Sequence, residues 1–239
     1  MNPEALGDND LSGLKDHSFK VIDATRDLAV AYKPNFAFFE RWGAVGFAWL
    51  EEIVSYIGKE HITIADAKRG DIGNTADQYA KSIFDHFGFD SVTLNPYMGS
   101  DSILPFLNRK EKGAFILCRT SNRSAKELQD KMVDDEPFYL HVARLIGGLN
   151  KNDNAGMVVG ATAPEELQRI RDIAPQSPLL IPGVGAQGGD LSHSLRVGNQ
   201  SGIGLINVSR GISFVGDMSE KSIHSAAANY VEQMREILR

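Results

Sequence analysis

The sequence predicts an α/β fold, a (β/α)8 barrel, on three observations. Short apolar runs recur along the whole chain, and stretches with helical periodicity separate them. Several runs are apolar at consecutive positions, as in parallel strands that are covered on both faces. The chain has 239 residues, of which 42% are hydrophobic, and no linker rich in Pro, Gly or Ser divides it. These features predict a single barrel domain over residues 1–239.

Seven of the apolar runs are predicted strands. They cover residues 28–33, 62–68, 91–95, 114–119, 156–161, 179–182 and 203–208. Amphipathic segments over 164–174 and 222–238 are predicted helices. The polar segment 121–138 lies in the longest gap between strands, and we interpret it as an excursion over the surface and a candidate lid.

The strand count is one short of the eight that a closed barrel requires. Residues 14–28 have the pattern of a helix leading into the first predicted strand, and such a helix should itself follow a strand. We therefore expect this chain to lack the first strand of the barrel. The sheet edges left open should make it poorly soluble or weakly active.

Composition and charge exclude several classes of function. The net charge of -6 and the pI near 5.5 argue against a protein that binds nucleic acids in general or binds anionic membranes. Cys118 is the only cysteine, so no intrachain disulfide can form, and its apolar run predicts a buried structural thiol. The histidines lack the spacing of a metal-binding motif. No membrane span or signal peptide is evident, which predicts a cytoplasmic protein.

Charged side chains cluster at the carboxyl ends of the first two predicted strands. Asp66 and Lys68 share one face of their strand, since side chains alternate between faces. Lys33 ends the preceding strand in the same way, and Asp71 lies in the loop beyond Lys68. In a barrel this end of the strands carries the catalytic face, where two lysines and two aspartates would be neutral overall. The pattern fits scattered strand-end charges equally well.

A glycine-rich turn follows the strand over 179–182. Gly183, Gly185 and Gly188 match the dinucleotide pattern GxGxxG, but the turn lies near the end of the chain and no ribose-binding acid ends the next strand. Such turns also bind a plain phosphate through backbone N–H groups, and Arg210 could clamp the same phosphate. The alternatives are tight turns for the glycines and a surface salt bridge for Arg210.

Uncharged polar residues follow the strand over 114–119. Thr120, Ser121 and Asn122 offer donors and acceptors that could contact the edge of a heterocycle. They would serve equally well as ordinary turn-capping residues.

The motifs "YKPN", "DAKRGDIGNT", "PGVGAQGGD" and "SRGI" together strongly resemble the orotidine 5'-phosphate decarboxylase family, in its bacterial branch with longer loops. The resemblance runs from about Ile22 to the end of the chain. It implies a barrel that works as a homodimer with shared active sites and without a metal or organic cofactor. The implied reaction converts orotidine 5'-monophosphate (OMP) to UMP in pyrimidine biosynthesis. One departure is that the family's first strand, with its ribose-binding aspartate, has no counterpart here.

The resemblance also implies a role for each matching residue. Lys33, Asp66, Lys68 and Asp71 would form the alternating charge network, with Lys68 as the proton donor to C6 of the pyrimidine. The other implied contacts are Ile72 and Thr75 in the partner's site, Ser121 and Pro182 at the substrate, and Gln187, Gly188 and Arg210 at the phosphate.

Two other functions remain alternatives from the sequence. A metal-dependent sugar-phosphate aldolase or epimerase of the same barrel group can share the DxKxxD strand, and its activity would be lost in EDTA. A non-catalytic nucleotide-binding protein would bind the nucleotide without releasing CO2.

Overall fold

The computed structural model describes residues 10–185 and 188–239. These residues form two compact units, each assembled from separate stretches of the chain. The first comprises the described part of Met1–Ala67 with Lys81–Val92 and Ser209–Gln233, and the second comprises Lys68–Ala80, Thr93–Val208 and Met234–Arg239. A single barrel domain over residues 1–239 stays a prediction.

The first unit is built around buried aromatic and aliphatic side chains. Trp49 is fully buried, and its indole N–H donates to the Ser18 hydroxyl at 3.2 Å. Phe36, Phe87 and Phe89 form a second cluster, with ring centroids 5.7–6.4 Å apart. The elements wholly or mainly in this unit are α1 (Leu11–Thr25), β1 (Ala31–Tyr32), α2 (Ala37–Glu40), α3 (Ala44–Ile57), a π-helical turn (Ser82–His86), α9 (Arg210–Ser213) and α10 (Glu220–Leu238).

The second unit holds most of the parallel strands. Its strands and helices are α4 (Gly73–Lys81), α5 (Leu104–Leu107), β4 (Gly113–Arg119), β5 (Met132–Val133), β6 (Glu136–Pro137), α6 (Phe138–Leu149), β7 (Ala155–Val159), α7 (Pro164–Ile173), β8 (Leu179–Pro182), α8 (Leu191–Gly198) and β9 (Gly204–Asn207). Single 3-10 turns cover Ser100–Ser102 and Arg123–Glu127. Strands β2 (Ile62–Arg69) and β3 (Ser91–Leu94) each have residues in both units.

Seven strands of the described chain form one sheet, in the order β1-β2-β3-β4-β7-β8-β9. The pairs β1–β2, β4–β7, β7–β8 and β8–β9 are parallel. β7 is buried along its whole length, as a strand covered on both faces should be. The end strands β1 and β9 are only half-buried. This parallel α/β sheet is the architecture that the sequence predicts.

All seven predicted strands are present, with small changes at their ends. β8 has the predicted bounds, whereas β1 covers only two residues of the predicted 28–33. The polar segment 121–138 contains a 3-10 turn and the antiparallel hairpin β5–β6, which the sequence analysis did not predict. The hairpin is tied to α6, because the His141 ring contacts the Val133 carbonyl oxygen at 2.7 Å. A lid function for this segment stays a prediction, as does the lack of a first strand.

Arg171 is a fully buried cation on the inner face of α7. It is 1% exposed, and burial lowers its pKa. Its guanidinium donates to six backbone carbonyls at the ends of α7 and α8 and before β8 and β9, namely those of Ala174, Pro175, Ser177, Val197, Gly198 and Ile203, at 2.6–3.5 Å. Carbonyls at a helix C-terminus lack intrahelical partners, so one side chain satisfies two helix ends at once.

Among the described residues, the structure has no helix with the length and apolar character to cross a membrane.

Candidate active site

A buried ion pair joins β1 and β2 near their carboxyl ends. The Lys33 ammonium contacts the Asp66 carboxylate, and the two side chains are 16% and 9% exposed. The backbone of Asp66 is fixed as well, since its N–H donates to the Pro34 carbonyl at 3.0 Å and its carbonyl accepts from the N–H of Phe36 at 3.2 Å. Each charge offsets the desolvation of the other, so a carboxylate can stay ionised where water is scarce.

Lys68 ends the regular alternation of β2. Its φ of 47° lies in the left-handed region, which side chains other than glycine rarely adopt. Its backbone N–H donates to the Thr93 hydroxyl at 3.0 Å, and its side chain is exposed. A backbone conformation of this kind costs about 1–3 kcal/mol and persists only where the surroundings enforce it. The shared face of Asp66 and Lys68 stays a prediction.

The loop after β2 presents the next three predicted site residues. The Asp71 carboxylate accepts the N–H of Ile72 at 2.8 Å and is half-buried. Ile72 is 48% exposed, and Thr75 is exposed in the first turn of α4. An apolar side chain exposed to this extent is available to a second molecule.

Ser121 lies just beyond β4 and is held against β7. Its carbonyl accepts from the Thr162 hydroxyl at 3.3 Å. Gly160 follows β7, and a Cβ built there would lie 2.7 Å from the Cβ of Ser121. Because real Cβ atoms do not approach this closely, residue 160 must be glycine for Ser121 to keep its position.

The glycine-rich turn follows β8 and leads into α8. Gly183, Gly185 and Gly188 have φ values of 101°, 75° and 83°, so each adopts a conformation that favours glycine. The N–H of Gly188 donates to the carbonyl of Gly185 at 2.8 Å. Pro182 ends β8, and its carbonyl accepts from Ala161 at 2.8 Å. Gln187, the predicted phosphate contact in this turn, lies outside the described residues.

Arg210 is the exposed first residue of the short helix α9. The other end of α9 is fixed by His17 of α1, whose Nε2 lies 2.8 Å from the Ser213 carbonyl oxygen and whose ring stacks on Phe214 at 5.4 Å. Burial lowers the pKa of His17, which favours the neutral ring with Nε2–H as the donor. Arg210 therefore lies on a helix that is anchored to α1.

Cys118 is a structural residue, as predicted. It is 2% exposed, its thiol donates to the Tyr139 carbonyl at 3.2 Å, and burial raises its pKa to about 12. Across residues 10–185 and 188–239, no group of three or more His, Cys, Asp or Glu side chains is placed to hold a metal ion.

Comparison with known proteins identifies the family. The model of the "Orotidine 5'-phosphate decarboxylase / HUMPS family" matches residues 10–222. The chain belongs to the orotidine 5'-phosphate decarboxylase family. A decarboxylase of this name from Halorubrum lacusprofundi is 49% identical over 227 residues, which are 92% of this chain and 80% of the relative.

Solved structures agree with this family. The Leishmania donovani OMP decarboxylase has a TM-score of 0.85 at 39% identity, over 95% of this chain and 88% of that one. The Leishmania donovani UMP synthase has a TM-score of 0.90 at 42% identity, and the chain spans 51% of its length. The fold is the (β/α)8 barrel of the decarboxylase family, and the activity is decarboxylation of OMP to UMP. The aldolase and the non-catalytic alternatives find no support.

Two features beside Ser121 were not predicted from the sequence. Gln129 hydrogen-bonds to Thr120 beside Ser121, although it lies nine positions further along the chain in the polar segment. Arg119 at the end of β4 is 5% exposed and pairs with Asp130 at 3.1 Å and Glu166 at 3.2 Å. The one available signal for Arg119 was a charged residue directly after the apolar run "AFILC".

Proposed function

We propose that Lys33, Asp66, Lys68 and Asp71 form the charge network that drives this decarboxylation without a metal or organic cofactor. The observation that carries the proposal is the buried Lys33–Asp66 ion pair at the carboxyl ends of β1 and β2. Preorganised charges in a site that excludes water stabilise the charge that develops in a transition state, and this is usually the largest single contribution to catalysis.

The proposed reaction breaks the bond between C6 and the carboxylate carbon of OMP. The electron pair of that bond stays on C6, and CO2 leaves. Asp66, paired with Lys33, crowds the substrate carboxylate, while the Lys68 ammonium stabilises the charge on C6 and then gives it a proton. The products are UMP and CO2, and Lys68 regains its proton from solvent. The left-handed backbone of Lys68 supports this role, because enforced strain of this kind clusters at functional sites.

The remaining predicted residues would bind the substrate away from C6. Ser121 and Pro182 would contact the nucleotide, and Gln187, Gly188 and Arg210 would bind its phosphate. Support for the phosphate site comes from the left-handed glycines that shape the turn and from the anchored helix α9 that carries Arg210. Phosphate contacts distant from C6 can lower the barrier by driving closure of the site.

We further propose a homodimer in which Asp71, Ile72 and Thr75 complete the partner's active site. The support is the exposure of Ile72 and Thr75 in the loop beyond Lys68. Lys68→Ala and Asp71→Asn proteins should each be nearly inactive. In a mixed dimer, one site then receives both changes and the other receives neither.

Co-expression of the two variants tests both roles together. With random pairing, half of the dimers are mixed, so turnover should return to about a quarter of the unchanged protein. Differently tagged chains confirm that heterodimers form, and Asp77→Asn on the exposed side of α4 is the matched control that should stay active. Confirmed heterodimers without recovered turnover would contradict the shared site. A Lys68→Ala protein with more than a tenth of normal turnover would contradict the proton donor.

A further inference from the structure

The side chain of Gln129 holds Thr120, the residue that links β4 to Ser121. The Gln129 Oε1 accepts the backbone N–H of Thr120 at 2.9 Å, and its Nε2 donates to the Thr120 hydroxyl at 2.8 Å. Both ends of one side-chain amide therefore bind one residue. We propose that Gln129 is a positioning residue that sets the conformation of residues 120–122 and so places Ser121 against the pyrimidine.

The side-chain hydrogen bonds continue from Gln129 through the Thr120 hydroxyl to Asn122. The Thr120 hydroxyl accepts from the Gln129 Nε2 and donates its single proton to the Asn122 Oδ1 at 2.6 Å. Gln129 is thereby linked to the side-chain amide of Asn122 as well, through Thr120. Replacing the amide of Gln129 would disturb both neighbours of Ser121 without touching Ser121.

Gln129 is itself fixed by the backbone. Its N–H donates to the Ala125 carbonyl at 2.7 Å, and its carbonyl accepts from the N–H of Tyr139 at 3.0 Å. Tyr139 is 2% exposed in α6. The clamp on Thr120 is thus tied by a backbone hydrogen bond to a buried residue at the start of α6, which supports the short loop.

The inference rests on the proposed contact between Ser121 and the pyrimidine. Two further supports of Ser121, the Thr162 hydroxyl and the close approach of Gly160, act from the β7 side. Gln129 acts on the other side of Ser121, through its hydrogen bonds with Thr120. Ser121 is held from both sides, and the removal of one should loosen it without unfolding the unit.

Gln129→Met tests the proposal, because methionine keeps the length of the side chain and loses both hydrogen bonds. We expect the dissociation constant of UMP and the KM for OMP to rise about five- to tenfold, since two neutral hydrogen bonds are lost. Inhibition by inorganic phosphate should be unchanged, because that ligand does not contact the pyrimidine site. If Gln129 had a merely structural role, Gln129→Met would weaken the binding of UMP and of inorganic phosphate together. Gln168→Met on α7 is the control, since it loses two comparable side-chain hydrogen bonds on the surface.

A double-mutant cycle shows whether Gln129 acts through Thr120. Thr120→Val removes the hydroxyl. The protein with both changes, Gln129→Met and Thr120→Val, should bind UMP hardly more weakly than the protein with Gln129→Met alone. Fully additive effects would overturn the proposal, as would a Gln129→Met protein that binds UMP like the unchanged protein. Ser121→Ala separates this outcome from the proposed function. If Ser121→Ala weakens UMP binding and Gln129→Met does not, the proposed role of Gln129 is wrong and the proposed contact of Ser121 stands. If Ser121→Ala binds UMP normally, the proposed contact of Ser121 with the pyrimidine is wrong.

Discussion

Arg171 and Lys33 are two cations of this decarboxylase with opposite surroundings. Arg171 donates to backbone carbonyls at two helix ends and before two strands, and all the hydrogen-bond partners that the described residues give it are backbone carbonyls. Lys33 instead pairs with one carboxylate, near the carboxyl ends of two strands. Both ions pay a desolvation cost, but only the Lys33–Asp66 pair keeps a negative charge at the catalytic end of the sheet. Burial of a charge is therefore no sign of catalysis until its partners are known.

The largest effect should come from Asp66→Asn, and it should fall on activity. Turnover should drop by about 10²–10³-fold or more, because the carboxylate that we propose to crowd the substrate carboxylate is lost. The backbone bonds of Asp66 to Pro34 and Phe36 do not involve its side chain, so the fold should remain. Turnover and thermal unfolding of the same preparation separate the two. Turnover within tenfold of normal would mean that the buried pair is structural, like Arg171.

Arg171→Met should show the reverse, a loss of stability. The free energy of unfolding should fall by about 3–5 kcal/mol, because six backbone carbonyls, four of them in buried hydrogen bonds, lose a charged donor. Each molecule that remains folded should turn over normally. Chemical denaturation measures the change, and Arg169→Met on the exposed side of α7 is the control, since its contact with the Tyr139 ring contributes only about 0.5–1 kcal/mol. Equal losses in the two variants would remove the contrast with Lys33.

Arg210→Ala should have the smallest effect, since this cation is exposed. Loss of a charge-assisted phosphate contact should cost about 1.5–3 kcal/mol of binding free energy. The change should appear in the KM for OMP, while activity on orotidine, which lacks the phosphate, should stay the same. Arg235→Ala in the last turn of α10 serves as the control. A similar loss on both substrates would place Arg210 with the structural cations.

The sequence predicts the positions of the strands well because their apolar runs are local signals. The sequence also shows the charged residues at the strand ends, although a solvated loop would be the simplest explanation of their charges. Arg171 had a readable signal that was missed. Leu167, Ile170, Arg171 and Ala174 follow the i, i+3, i+4, i+7 spacing of a buried helix face, so an arginine occupies a core position in the pattern.

Other features have no signal of this kind. The left-handed backbone of Lys68 depends on tertiary contacts such as the one with Thr93, and lysine itself does not favour it. The clamp of Gln129 on Thr120 joins two residues through a 3-10 turn, and neither residue type predicts the other. The hairpin β5–β6 has strands of two residues, too short for alternation to be recognised.

The buried thiol of Cys118 has a practical consequence for labelling this protein. As the only cysteine in the sequence, with its pKa raised to about 12, it should not react with maleimides or iodoacetamide in the native state. A cysteine introduced at an exposed position would then be the single reactive handle, without any need to remove a native one. A fluorophore placed this way on each chain would report subunit exchange in the proposed homodimer directly.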